Sequence, residues 1–248
     1  MEFNFAALLA PENLVALGTL TILEIVLGVD NILFISIISE KLPKEQQPRA
    51  RVVGLALALI FRLILLFMIS WLVHFTDPIF TLFDITFSGR DLILLGGGVF
   101  LLVKTISEIH QKVEGEEEGH GPKAKPRTFM SVVGMIILVD MVFSFDSILT
   151  AVGMVSELSI MVVAVVLAMI VMLVFVNKIS RIINNHPGIQ MLALSFLILI
   201  SFVLILDGLH KHIERGYVYF ALFFSLIVEV LNIRSTKNRK KPISNESS

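Results

Sequence analysis

Residues 23–33 read LEIVLGVDNIL, and residues 139–149 read VDMVFSFDSIL. Each phrase carries an acid, five intervening residues, a second acid, a small polar residue and then Ile-Leu. The acids are Glu24 and Asp30 in the first copy, Asp140 and Asp146 in the second. Both copies sit inside membrane-grade apolar sequence, where a carboxylate costs several kcal/mol unless it faces a partner, water or an ion. Four such groups in two matched copies are hard to explain as packing. The pair of phrases therefore decides both the class of the fold and the place where the chemistry lies.

The sequence around them agrees. Of its 248 residues 56% are hydrophobic and 17% charged, whereas soluble domains carry about 25% charged residues. Cysteine is absent, which excludes disulfides and thiolate metal sites. No Lys or Arg precedes the first apolar run and no small-residue cleavage pattern follows a short apolar core, so that run is expected to remain as a membrane span. No P-loop, HExxH, nucleophile-elbow or dinucleotide pattern occurs. An enzyme, a prosthetic group and a nucleic-acid partner are accordingly not expected; the bilayer is.

Apolar runs long enough to cross a bilayer occur at about 13–38, 51–74, 91–107, 128–152, 158–176, 189–207 and 217–233. The basic residues orient them. With the N-terminus outside, 16 Lys and Arg fall in inside segments, from Lys41, Lys44, Arg49 and Arg51 through Lys178 and Arg181 to the tail. Only Arg90, Lys211 and Arg215 fall outside, and Arg62 lies within a span. The positive-inside rule then gives an outer N-terminus and a cytoplasmic C-terminus. The fold expected is an all-α polytopic membrane protein of seven transmembrane helices.

A charged stretch at 108–127, EIHQKVEGEEEGHGPKAKPR, reads as a cytoplasmic linker and divides the first six spans three and three. Spans one and four share the acid phrase. Spans three and six match more loosely, with Glu108 opposite Asp207. Three spans per copy is odd, so the second copy enters from the opposite side, an inverted repeat of the kind used by transporters. The expected units are 1–107 and 128–209 as the repeats, 210–233 as a seventh helix and 234–248 as a basic tail. PIFTLFDITFS (78–88) and NKISRIINNHP (177–187) read as interfacial or re-entrant pieces. The acids 114 and 116–118 with His120 read as a solvated charge run, and His210-x-His212-x-Glu214 as an ordinary polar loop. Asp207 and Glu229, near span ends, are expected to be solvated at the interface. Gly96-Gly97-Gly98 suits close helix contact.

Depth separates the acids. Glu24 and Asp140 fall near mid-span; Asp30 and Asp146 lie six residues on, about 9 Å along a helix. Because the copies are inverted, Asp30 is displaced toward the cytoplasm and Asp146 toward the outside. Positions i and i+7 share a helix face, which aligns Glu24 with Asn31 and Asp140 with Ser147. The i+6 acids point about 120° away, so a single compact site needs an unwound turn, for which Gly28 is the natural break. Arg62, mid-way along span two, is the expected ion-pair partner. Carboxylates, an amide and a hydroxyl are all oxygen donors, a set that suits Mn²⁺, Ca²⁺ or Mg²⁺.

EIVLGVDNILFISIISEKLP (24–43) and VDMVFSFDSILTAVG (139–153) closely resemble the two signature segments of the TerC family of integral membrane proteins. The lead-in Val15–Glu24, RDLILLGGGVFLLVK (90–104) and HPGIQMLALSFLILI (186–200) resemble it too, so the likeness covers nearly the whole chain. It implies a seven-span inner-membrane protein, with members linked to manganese efflux, to metal supply for exported enzymes and to tellurium-resistance gene clusters. Carried over by motif, Glu24, Asp30, Asn31, Asp140, Asp146 and Ser147 become the metal-site positions. The function expected is export of a divalent cation, manganese first among them, coupled to protons through a carboxylate that can take one up. The metal is then cargo, not a cofactor. Export of a small organic solute, and a non-transporting scaffold or metal-supply role, stand as alternatives. A homo-oligomer and exported-enzyme partners are left open.

Overall fold

The computed structural model describes residues 11–68, 74–82, 85–113, 128–155 and 157–239. The acidic cluster of the linker and most of the basic tail lie outside the described residues. Helices α1 (Pro11–Leu27) and α2 (Val29–Ser39) form one continuous rod, followed by α3 (Gln47–Phe67). Strands β1 (Pro78–Leu82) and β2 (Ile85–Ser88) precede α4 (Gly89–Val113). Then come α5 (Phe129–Met154), α6 (Leu158–Asn185), α7 (Pro187–Gly208) and α8 (Arg215–Arg239). Among the described residues seven helical stretches are long and apolar enough to cross a membrane, as expected.

Local chemistry sets several boundaries. The Thr128 hydroxyl caps α5 by accepting from the Ser131 N–H at 3.3 Å, satisfying an otherwise orphaned donor. Pro187 begins α7 and Pro48 lies in the first turn of α3, where a missing N–H costs nothing. His186, extended before Pro187 (φ −129°, ψ 100°), is all that separates α6 from α7; the proline ring disfavours helical backbone in the residue before it.

Two segments differ from expectation. Residues 78–82 and 85–88 pair as antiparallel strands, with Thr81 opposite Thr86 and Leu82 opposite Ile85, and Phe80 stacks on Phe87. Alternating Ile, Phe and Thr suit a pleated surface, a preference masked by overall hydrophobicity. Residues 177–185 are not a separate interfacial piece; α6 runs through them to Asn185. The polar residues that ended the apolar run belong to a helix face lining a polar cleft (Asn177, Arg181, Asn184), while Ser180 and Ile183 face the core. Helix α4 likewise continues past 107 to Val113, because Glu108 pairs with Lys41.

The bundle packs by pairs: α4 lies along α7, α3 against α5, and α1 and α2 against α6. One large apolar cluster runs through α2 to α7, and a smaller one gathers Leu20, Leu66, Phe145, Ile148 and Met161. Helix α8 rests chiefly on α7 and leaves Tyr217, Phe220, Phe223 and Phe224 bare. The glycines of α4 divide as their positions demand. A Cβ at Gly98 would lie 2.9 Å from the Ser201 carbonyl oxygen and at Gly97 would strike Val142, whereas Gly96 faces open space.

The buried carboxylate centre

The two acid phrases meet in the middle of the bundle. Glu24 on α1 and Asp140 on α5 are 1% and 3% exposed, and Arg62 of α3, 2% exposed, lies between them. Its Nη1 donates to Glu24 Oε2 at 2.7 Å and its Nη2 to Asp140 Oδ1 at 3.2 Å. The third arm, Nε, donates to Ser144 Oγ at 2.9 Å, and that hydroxyl donates to Asp140 Oδ2 at 3.0 Å. One guanidinium thus holds two carboxylates, the second of them both directly and through a hydroxyl. Such fork geometry is what makes Arg suited to buried ion pairs.

The small polar residue of the first phrase serves the acid of the second. Asn31 Nδ2 donates to Asp140 Oδ1 at 2.8 Å, and Ser147, buried on α5, donates its hydroxyl to Ser144 O at 3.3 Å. The i+7 spacing places acid and polar residue on one face of each helix, and the two faces interlock. Four of the six expected metal-site residues, Glu24, Asn31, Asp140 and Ser147, therefore converge around Arg62.

The other two acids stand apart from that centre. Asp146 pairs with Arg90 at the start of α4, at 2.5 Å. Tyr219 of α8 donates to Asp30 Oδ1 at 3.5 Å. Asp146 and Arg90 also line a cleft of about 630 Å³ with Asp207, His212 and Glu214, walled on one side by α1. At the far end of the bundle Lys41 pairs with Glu108, while Lys112 donates to Glu40 at 3.1 Å and to Gln190 at 2.6 Å.

The break expected at Gly28 is small. Its backbone is right-handed helical (φ −83°, ψ −7°). Its N–H donates to Glu24 O at 2.9 Å and its carbonyl accepts from Ile32 N at 3.1 Å, so no unwound turn frees carbonyl oxygens for an ion. A Cβ there would meet the flexible thioether end of Met172 on α6 and lie 3.1 Å from Glu24 O. At the matching position Ser144, α5 is unbroken.

Asp207 is buried rather than solvated, at 4% exposure, with its Oδ1 2.9 Å from His212 Nδ1. His210 Nε2 lies 3.0 Å from Asp91 Oδ2. Among the described residues no three of His, Asp and Glu converge into a ready-made metal cage. Two oxygens at the centre nonetheless lack partners: Glu24 Oε1 and Asn31 Oδ1 are buried and accept no hydrogen bond. An orphaned buried acceptor is costly, and oxygen atoms of this kind are what a hard cation takes as ligands.

Ser144, Arg90 and Tyr219 were not singled out as site residues from the sequence. Ser144 carried a usable signal, four residues after Asp140 and so on its helix face. Arg90 and Tyr219 come from other elements, and no local spacing announces them.

The model of the Integral membrane protein TerC family matches residues 9–242. UPF0053 inner membrane protein YgdQ of Escherichia coli (strain K12) is 48% identical over 239 residues, covering 96% of this chain and 99% of its own length. UPF0053 inner membrane protein YoaE of the same strain is 47% identical over 96% of this chain but only 45% of its own length. UPF0053 protein YegH of that strain is 45% identical over 94% of this chain and 44% of its own. No solved structure matches.

Proposed function

This chain belongs to the TerC family of integral membrane proteins, and on that premise we propose that it is a secondary transporter exporting a divalent cation. Manganese is the first candidate, and the membrane is the inner, cytoplasmic one. The observation that carries this reading is the interlocked centre: two carboxylates, one guanidinium and two buried oxygens without partners. With Glu24, Asp140 and Arg62 ionised the centre has one negative charge in excess. A hard cation is drawn to oxygen donors in that state, and proton uptake by a carboxylate releases it.

Each phrase adds a second carboxylate beyond the centre. Asp146 opens on the cleft, and Asp30 follows Glu24 about 9 Å further along its helix, within reach of the Tyr219 hydroxyl. Pairing of α4 with α7, the third helices of the two halves, supports an inverted repeat with the site at its interface. On this reading the chain is a carrier with a metal as cargo, not an enzyme.

One observation favours a second reading, export of a small organic solute. Arg62 engages both central acids, and the cleft has an apolar wall of Ile22, Leu23, Val26 and Leu27. Flux decides between them. In proteoliposomes, wild type is expected to move Mn²⁺ at a rate that responds to a pH gradient, and Glu24→Gln and Asp140→Asn to abolish the movement. Unchanged Mn²⁺ flux in both variants removes the central site, and indifference to the gradient removes proton coupling.

A further inference from the structure

At the end of the bundle that carries Lys41 and Lys112, α3 and α6 enclose a second cleft, of about 620 Å³. Its inner wall holds Arg51, which is 5% exposed. The Arg51 guanidinium donates to Ser39 Oγ at 2.7 Å, Gln47 Oε1 at 3.2 Å and Asn177 Oδ1 at 3.4 Å. Every one of these acceptors is neutral. The acid that acts on it electrostatically is Glu40, whose carboxylate is spent on Lys112 and on Gln190 Nε2 at 3.0 Å. Among the described residues Arg51 has no ion-pair partner. A buried guanidinium is expensive to leave without a counter-charge.

The rest of the cleft is built to supply one. Lys44 and Arg181 add two positive charges at its rim, against the single Glu40. Asn184 and Asn185 line it with carboxamides, and Asn184 Oδ1 is buried without a partner. Turned about its axis, that carboxamide presents an NH₂ instead. We propose that this cleft binds a phosphate-bearing anion, with Arg51 as the buried anchor and Arg181 and Lys44 at the mouth. Arg forks and amide donors match tetrahedral phosphate oxygens, and basic pockets between spanning helices suit anionic headgroups. The shared chemistry is the phosphate; a phospholipid headgroup and free inorganic phosphate are its two sources. The inference is independent of the cation reading, because it uses no residue of the central site.

The test uses the full chain in neutral detergent, titrated with inorganic phosphate at constant ionic strength. In parallel, the chain is taken from vesicles of mixed phosphatidylglycerol and phosphatidylcholine, and retained lipid is counted by native mass spectrometry. Saturable phosphate binding identifies the free anion, and selective retention of one phosphatidylglycerol identifies the headgroup; either result supports the site. Arg51→Gln and Arg181→Gln are expected to weaken it at least about tenfold, the value of one charge-assisted hydrogen bond. Lys178→Gln, on the same helix but outside the cleft, is expected to leave it unchanged. Arg181 is exposed, so its variant decides the matter if Arg51→Gln does not fold. Absence of both kinds of binding, or equal weakening by Lys178→Gln, overturns the proposal.

Discussion

Arg62 holds together two carboxylates that could not otherwise share a dry site. Removing one partner of a buried ion pair costs roughly 3–5 kcal/mol, because the remaining charge is left unpaired. Arg62→Gln is therefore expected to lower unfolding stability in detergent by about that amount. Adding Glu24→Gln and Asp140→Asn should restore most of the loss, since neutral amides need no counter-charge; failure to recover would mean that Arg62 acts through packing. Ser144→Ala removes a hydroxyl that both accepts from Arg62 and donates to Asp140, and a cost of about 1–2 kcal/mol is expected in the same measurement. At this scale the acids were legible because a charge in an apolar run is conspicuous, and Arg62 for the same reason. Ser144 was harder to read, as serine is common helix glue. The crossing of Asn31 onto Asp140 depends on how two helices dock, which spacing within one helix does not contain.

Among the elements, glycines mark where helices approach most closely. Gly98 of α4 meets the backbone of α7 at Ser201 and Ile205, so an added methyl has nothing flexible to push aside. Gly98→Ala is expected to cost about 1–3 kcal/mol, the usual penalty of overpacking, whereas Gly96→Ala, facing open space, should be neutral or slightly stabilising because Ala favours helix. Thermal unfolding of the two variants in detergent checks the contrast; equal effects would contradict the α4–α7 packing. Helix existence was readable from apolar run length, and seven spans follow directly from it. Helix ends were not, where polar residues continue a helix: α6 keeps its course through Asn177, Lys178 and Arg181 because one side still packs on the core. The strand pair 78–82 and 85–88 escaped a reading based on hydrophobicity, since its signal lies in residue shape and alternation.

For the whole molecule, the two ends differ in chemistry. One gathers Lys41, Lys112 and Arg51 in clasp and cleft; the other gathers Arg90, His210 and His212 around acids. That division is the one the basic residues drew in the sequence. With an outer N-terminus, Asp146→Cys should react with a membrane-impermeant maleimide from the outer face through the cleft; labelling from the inner face alone would reverse the orientation. The chain has no native cysteine, so the background is clean. The central claim is that the interlocked acid phrases form a cation site, and equilibrium binding tests it without assuming transport. Electron paramagnetic resonance of Mn²⁺ titrated into the purified chain is expected to show one immobilised ion per protein. Glu24→Gln or Asp140→Asn should weaken that binding by at least roughly tenfold, no less than the loss of a supporting contact costs a metal site, while Glu12→Gln, exposed on the first turn of α1, leaves it intact. No immobilised Mn²⁺, or binding undiminished in both acid variants, would contradict the site.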